Sequence, residues 1–240
     1  MSAVVESPGR SAEQIENLSA SARRLLHRPR PRFRGFLHRW AALATIPVGV
    51  GLSFLAEGER ATIAAIVFAV GTFFMLATSA LVHSRDWKVS QVETLVRLDH
   101  SAIFLMFATS GTPIAWMGLD GRASTWMLVV LWAGAIVGIV AEWLPVHPPA
   151  GIMNAAYLTF GWGCVAFLPW LVTDLDPGQL ILLFAGGAAY TIGAIIVGAR
   201  RPDPWPATFG YHEIWHVLVV VATLAHTALV ADLVGVSLGS

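Results

Sequence analysis

Apolar stretches of about twenty residues follow one another along most of this chain, separated by short polar breaks. A helix rises about 1.5 Å per residue, so about twenty apolar residues cross a hydrocarbon core of about 30 Å. The composition agrees, because 56% of the residues are hydrophobic and only 12% are charged. We therefore predict an all-α integral membrane protein, a bundle of seven transmembrane helices. The predicted spans are about 36–56, 61–83, 98–118, 124–144, 151–173, 179–198 and 212–234.

The two ends of the chain differ from this membrane domain, which we place at residues 36–234. Residues 1–35 are polar, so we expect a cytoplasmic tail without a packed core, largely disordered or with a short helix near Ala12 to Leu26. The tail lacks the apolar middle of a secretory signal. Residues 235–240 form a second, short tail.

The basic residues predict the orientation of the bundle, because cytoplasmic loops carry an excess of Lys and Arg. With the N-terminus inside, the 15 Lys and Arg all fall on the cytoplasmic side except Arg60 and Arg122. We therefore predict a cytoplasmic N-terminus and an outside C-terminus. The expected location is the cell membrane, as a multi-pass protein.

A possible metal-binding pattern, H-E-I-W-H at residues 212–216, opens the last apolar stretch. Residues four apart span about 400° at helical pitch, so His212 and His216 share one face, as two metal ligands on one helix must. The pattern is typical of zinc peptidases, in which the Glu is the general base. Those enzymes need a further ligand downstream, but Ala222 stands six residues after His216 and no Glu follows Glu213. A third ligand must therefore come from another helix.

The predicted topology brings three more polar residues to the level of this pattern. His83 ends the second span, Ser79 lies one turn deeper on the same face, and Asp99 opens the third span. Ionisable residues inside a membrane are costly and by default face a partner or an ion in the bundle interior. Three neutral imidazoles with an open fourth position are a catalytic zinc arrangement, in which the pKa of a bound water falls to about 7.

In that arrangement Asp99 would bind the water or take its proton, and Ser79 would donate a hydrogen bond to the water or to a developing oxyanion. The alternative is that all these polar residues only cap helix ends at the membrane interface.

Four segments together resemble the hemolysin III family, the bacterial branch of the progestin and adipoQ receptors. They are Ser79-x-x-x-His83, L-D-H-S-A-I-F at 98–104, His212-x-x-x-His216 and the lead-in R-F-R-G-F-L-H at 32–38. The resemblance covers about residues 30–234. It implies a seven-helix fold in a bacterial plasma membrane, with a cytoplasmic N-terminus and a zinc ion held by three histidines. The residues implied are His83, His212 and His216 as ligands, with Asp99 approaching the zinc-bound water and Ser79 nearby.

The resemblance also implies an activity. The wider superfamily includes alkaline ceramidases, which implies a lipid amidase here. The position of Glu213 varies in the family, so the likeness to zinc peptidases is a coincidence and Glu213 is a doubtful base.

Three functions are considered on this basis. The first is a zinc-dependent, ceramidase-like hydrolase of a lipid amide or ester on the cytoplasmic side, with Asp99 and Ser79 as catalytic residues. The second is a receptor-like or membrane-homeostasis protein with a structural zinc and no turnover. A hemolysin or pore is weaker, because no polar stripe runs through the membrane. We expect membrane lipids as partners, with a lipid amide or fatty acid in the bundle, and no nucleic acid; the sequence leaves the oligomeric state open.

The remaining polar residues of the spans receive structural interpretations. His226 lies deep in the last span, where it could line a cavity, but a hydrogen bond between helices is favoured. His100 lies about 100° around the helix from Asp99 and is expected to face elsewhere. His38 and His147 are expected at the membrane interface. Glu142 could reach towards the interface or hydrogen-bond within the bundle.

Overall fold

A computed structural model of the protein describes residues 15–27, 31–146 and 151–236. The expectations for residues 1–14, His147 and residues 237–240 lie outside these described ranges. Within them the chain is helical and has no β-strand. The helices are α1 (Ala20–His27), α2 (Phe36–Leu55), α3 (Glu59–Ser84), α4 (Val89–Gly118), α5 (Gly121–Trp143), α6 (Ile152–Gly161), α7 (Leu168–Asp174), α8 (Pro177–Ala199) and α9 (Tyr211–Leu233), with a 3₁₀ helix at Trp162–Phe167.

Among the described residues, five helical segments are both long and apolar enough to cross a membrane. They are Glu59–Ser84, Gly121–Trp143, Ile152–Asp174, Pro177–Ala199 and Tyr211–Leu233. Helices α2 and α4 have sufficient length, with 20 and 30 residues. They are more polar, because α2 starts with His38 and Arg39 in its first turn and α4 starts with several charged residues. The fold is therefore that of an all-helical, multi-pass membrane protein.

Two helices depart from the predicted spans. Helix α4 begins at Val89 rather than near residue 98, so Asp99 lies well inside the helix rather than at its entry. The predicted span 151–173 is divided into α6, the 3₁₀ helix and α7. Gly161 and Gly163 weaken the helix at the division, and Pro169 stands at the start of α7, where a missing N–H costs nothing.

The long helices pack mainly against their neighbours in sequence. Helices α2 to α5 form successive side-by-side pairs, and α8 packs on α9. Helix α9 also contacts α2, α3 and α4, which places it inside the bundle. The outer faces carry apolar side chains, such as Phe54, which is 86% exposed. Apolar surface of this extent is that of a protein surrounded by lipid.

One end of the bundle holds the polar residues of interest, and we call it the site end. Helix α3 ends there and α9 begins there, since His83 and His212 are in contact. The first part of α4 lies there too, since Asp99 is 3.7 Å from His83. Helix α5 also ends there, because the Arg97 side chain of α4 donates to the backbone carbonyl of Glu142.

The N-terminal segment packs onto the site end. Ala22 is buried in a cluster with Val92 and Val96 of α4, and the Ser19 amide donates to Glu93 Oε2 at 2.9 Å. The short helix expected in the tail is α1, but the expectation that the tail has no packed core is wrong for this segment. The apolar partner surface belongs to α4, so the tail's own composition could not predict it.

Close packing of α3 on α4 gives the first testable prediction. A methyl group at Gly71 would collide with the Thr109 side chain of α4, so Gly71→Ala should lower the stability by about 1–3 kcal/mol, as overpacking does. Gly51→Ala is the matched control, because nothing lies within 4 Å of its added methyl group. The measurement is thermal unfolding of the detergent-purified variants. Equal melting temperatures would contradict the helix contact.

Candidate metal centre

Three histidine side chains converge at the site end. His83 is next to the last residue of α3, and His212 and His216 lie in the first two turns of α9. One ring nitrogen of each lies within 4.8 Å of the others, and the Nε2 atoms of His83 and His212 are 3.3 Å apart. His83 and His216 are buried and His212 is half-buried. The three could hold a metal ion.

The geometry of this group is compatible with zinc. Zinc–nitrogen bonds of about 2.0–2.1 Å at tetrahedral angles place two ligand nitrogens about 3.4 Å apart. The separation of 3.3 Å between His83 and His212 fits this value before any side chain moves. Imidazole nitrogens are also ligands that zinc accepts readily.

The start of α9 is fixed by Glu213, the residue between the two histidines. Its Oε2 accepts a hydrogen bond from the Gly210 amide at 2.9 Å, which caps the helix. Its Oε1 accepts from Arg34 Nε at 2.6 Å, and the side chains of Arg34 and Glu213 are 11% and 3% exposed. Both carboxylate oxygens are therefore occupied by structural partners. This arrangement does not suit the general base of a zinc peptidase.

The lead-in to α2 links the two helices that carry the histidines. The amides of Arg32 and Phe33 donate to the carbonyls of Ala207 and Thr208, ahead of α9. On its other side the lead-in touches the end of α3. Gly35 has φ of 72°, and a Cβ there would stand 3.1 Å from the backbone carbon of His83. This approach requires glycine, since other residues rarely adopt that φ.

Asp99 and Ser79 lie beside the histidines, as their positions in the sequence predict. Asp99 Oδ2 is 3.7 Å from His83 Nε2, and its side chain is 18% exposed. Ser79 lines the same cavity as Asp99. Ser79 is one turn before His83 on α3 and is buried. The structure thus brings together all five residues that the sequence analysis singled out.

A cavity of about 540 Å³ opens beside this group, within the range of small-molecule sites. The three histidines, Asp99 and Ser79 are among its polar lining residues. Apolar side chains also line it, among them Met75, Ile103, Met106, Phe107 and Val219. A lining of this mixed kind suits a ligand with both polar and apolar parts.

A second polar cluster lines the same cavity. Glu142 of α5 accepts a hydrogen bond from the Tyr157 hydroxyl of α6 at 2.5 Å, and its other oxygen lies 3.4 Å from His100 Nδ1 of α4. His100 faces Glu142 rather than His83, as expected from its angle to Asp99. Glu142 bonds within the bundle rather than at the interface. Sequence analysis did not predict this cluster, because a single tyrosine such as Tyr157 is common in an apolar span.

Two further histidines have roles that the structure defines. The expectation of an interfacial His38 is wrong, because its side chain is buried and stacks on His216, with ring centroids 3.8 Å apart. It follows Gly35 by three residues, and the close approach of the lead-in carries it inside the bundle. His226 lies 3.4 Å from the Leu183 carbonyl of α8 and packs on Gly186. It joins α8 to α9, the role that the sequence favours.

The fold and the histidine group define a class: helical membrane proteins with a candidate metal centre at one end of the bundle. The model of the protein family described as "Haemolysin-III related" matches residues 26–227 of this chain. This chain belongs to the haemolysin-III-related family, which confirms the resemblance seen in the sequence.

Several relatives support this assignment. "Hemolysin-3" of Bacillus cereus is 30% identical over 187 residues, covering 76% of this chain and 82% of the relative. "Hemolysin-3 homolog" of Bacillus subtilis (strain 168) is 28% identical over 191 residues, or 78% and 86%. An "ADIPOR-like receptor" of Saccharomyces cerevisiae is 28% identical over 181 residues, or 67% and 56%. With the apolar helices, the bacterial relatives place the chain in a bacterial plasma membrane as a multi-pass protein.

The two contacts of Glu213 give the second testable prediction. Glu213→Ala should lower the stability by about 3 kcal/mol or more, because it leaves Arg34 buried without its carboxylate. Glu213→Gln should lose less, since an amide oxygen can still accept from Gly210. The measurements are the melting temperature and the bound metal per chain. A Glu213→Gln protein with wild-type stability and metal content but no turnover would contradict the structural role and favour a general base.

Proposed function

We propose that this protein is a zinc-dependent hydrolase that cleaves an amide or ester bond of a membrane lipid. The observation that carries the proposal is the convergence of three imidazole nitrogens beside a cavity that both polar and apolar side chains line. Three protein ligands leave a fourth position of a tetrahedral metal open, which is the pattern of catalytic rather than structural zinc.

His83, His212 and His216 would hold the zinc. The bound ion would polarise a carbonyl oxygen and acidify a water molecule. Asp99, 3.7 Å from His83, would accept the proton that the water loses as it attacks the carbonyl. The Ser79 hydroxyl would donate a hydrogen bond to the developing negative charge on the substrate oxygen.

The apolar wall of the cavity would hold the acyl chain. Met106, Phe107 and Val219 are among its lining residues, and an acyl chain packed against them would place its carbonyl group at the histidines. Burial of each methylene contributes about 0.8 kcal/mol to binding. A lipid with a single long chain and a compact polar head suits this division.

We further propose that the bundle has seven spans with the site end in the cytoplasm. Helices α2 and α4, though more polar than the other long helices, have sufficient length to cross and pack alongside α3 and α5. Placing the site end inside leaves only Arg60 and Arg122 of the 15 Lys and Arg outside, in agreement with the positive-inside rule. Water for hydrolysis would enter from the cytoplasm.

A receptor-like or membrane-homeostasis protein with a structural zinc is the second candidate. The name of the yeast relative, "ADIPOR-like receptor", favours it. The metal would then tie the end of α3 to the start of α9 without turnover. Removal of the metal would lower the melting temperature, while deletion of the protein would leave every lipid class unchanged.

Metal content and turnover provide the third testable prediction. His83→Ala and His216→Ala should lose the bound zinc, about one ion per chain in the wild type, and all hydrolysis of lipid amides. Asp99→Asn should keep the zinc and lose turnover by about 100-fold or more. His226→Asn is the matched control, a buried histidine of the same helix that should retain the zinc. Elemental analysis and a lipid hydrolysis assay measure both quantities, and turnover by zinc-free protein would contradict the proposal.

The orientation gives the fourth testable prediction. Cys164 is the only cysteine, so Cys164→Ser provides a background for single reporters. Asp120→Cys, between α4 and α5, should react with a membrane-impermeant maleimide in intact cells. Arg85→Cys, between α3 and α4, should react only after the cells are permeabilised. The reverse labelling pattern would contradict a cytoplasmic site end.

A further inference from the structure

The second polar cluster of the cavity, formed by His100, Glu142 and Tyr157, has no task in the reaction described so far. Its three residues come from α4, α5 and α6 and meet in the interior of the site end. The Glu142 carboxylate is 8% exposed and the His100 ring is 25% exposed. Buried polar clusters of this kind are costly in a membrane protein and commonly serve function.

The orientation of His100 leaves one ring nitrogen for a ligand. Its Nδ1 edge faces Glu142 Oε2 at 3.4 Å, and the His100 ring packs edge-on against Tyr157, with centroids 5.9 Å apart. Nε2 lies on the opposite side of the imidazole. His100 lines the cavity and a quarter of its side chain is exposed, so we take Nε2, the nitrogen turned away from Glu142, as the atom offered to a bound molecule.

The surroundings of Glu142 favour an imidazole that carries protons on both nitrogens. A buried carboxylate needs a positive partner. Two cationic groups lie near the Glu142 carboxylate. The Arg97 guanidinium donates to the backbone carbonyls of Glu142 and Leu144 and to the Glu93 carboxylate, and the His100 ring faces the Glu142 carboxylate itself. With Nδ1–H donated to Glu142, Nε2–H is available to the cavity.

Asp99 and His100 present two different side chains to the same cavity. They are consecutive in α4 and point about 100° apart, so Asp99 faces His83 while His100 faces Glu142. Both line the cavity. A substrate held with its carbonyl beside His83 and Asp99 would extend through the cavity that His100 also lines.

We propose that His100 is a further catalytic residue, which donates the Nε2 proton to the leaving nitrogen or oxygen of the lipid. This inference rests on the proposed function. Water adds to the carbonyl carbon and gives one proton to Asp99. The bond from carbon to the leaving atom breaks, its electron pair stays on the leaving atom, and that atom takes the proton from His100. The products are a fatty acid and a free amine or alcohol, and the proton on Asp99 returns to His100.

Glu142 and Tyr157 are positioning residues in this scheme. Glu142 orients the imidazole and stabilises its charged form, and the Tyr157 hydroxyl holds the other carboxylate oxygen at 2.5 Å. An amide depends on this proton far more than an activated ester does, because an amine leaves poorly without protonation whereas a nitrophenolate leaves unaided. The proposal therefore predicts a selective loss of amide hydrolysis.

The experiment, the fifth prediction, compares two substrates with the same acyl chain. They are the palmitoyl amide of a simple alkyl amine and the p-nitrophenyl ester of palmitic acid, both in detergent micelles. His100→Phe should lower kcat on the amide by about 100-fold or more and on the ester by less than about threefold. Glu142→Gln should show the same selectivity at about 10-fold. Zinc content should stay at the wild-type level in both variants.

Trp143→Phe is the matched structural control. It removes a hydrogen bond between α5 and α4, from Trp143 Nε1 to Ser101 Oγ, and should show no selectivity between the two substrates. If His100→Phe does not fold, Glu142→Gln decides by the same comparison. Equal losses on amide and ester, or an unaffected amide rate, would overturn the role of His100 while leaving the hydrolase intact. A wild type with one zinc that hydrolyses neither substrate would contradict the proposed function and this inference with it.

Discussion

The absence of hydrogen-bond partners in hydrocarbon is the constraint on which the rest of this structure depends. A chain that crosses lipid must satisfy its backbone within helices, and each buried polar side chain must find a partner inside the bundle. The charged and imidazole groups of this protein meet that requirement by gathering mainly at the site end. His83, Asp99 and Glu213 lie there with their partners, whereas the opposite faces of the helices present apolar side chains to lipid.

The ion pair between Arg34 and Glu213 shows how this gathering also builds the candidate metal centre. It anchors the first turn of α9 to the lead-in of α2, and the lead-in touches the backbone of His83 through Gly35. His212 stands next to Glu213 in α9, so the same contact fixes its distance to His83. A metal would bind to ligands whose backbones are already held, which lowers the entropy lost on binding.

The sequence predicted the residues whose position depends only on depth in the membrane. His83 and His212 each stand near the end of an apolar stretch, so topology alone brought them to one level. Depth does not say which way a side chain points around its helix, and pairs that depend on that angle were missed. Glu142 with Tyr157, and His38 with His216, belong to this group. The early start of α4 was missed for a related reason, since Val92 and Val96 in its polar first turns are covered by α1, a contact that the sequence does not reveal.

The arrangement of charge around the cavity argues for chemistry rather than for a structural metal alone. A structural zinc is enclosed by four protein ligands, whereas here three imidazoles border a cavity of about 540 Å³. Two acid–base groups, Asp99 and His100, line that cavity from consecutive positions of one helix. Asp99 faces a histidine that would hold a cation, and His100 faces the Glu142 carboxylate. In the proposed reaction Asp99 would take up a proton and His100 would supply one, the division of roles that hydrolysis of an amide requires.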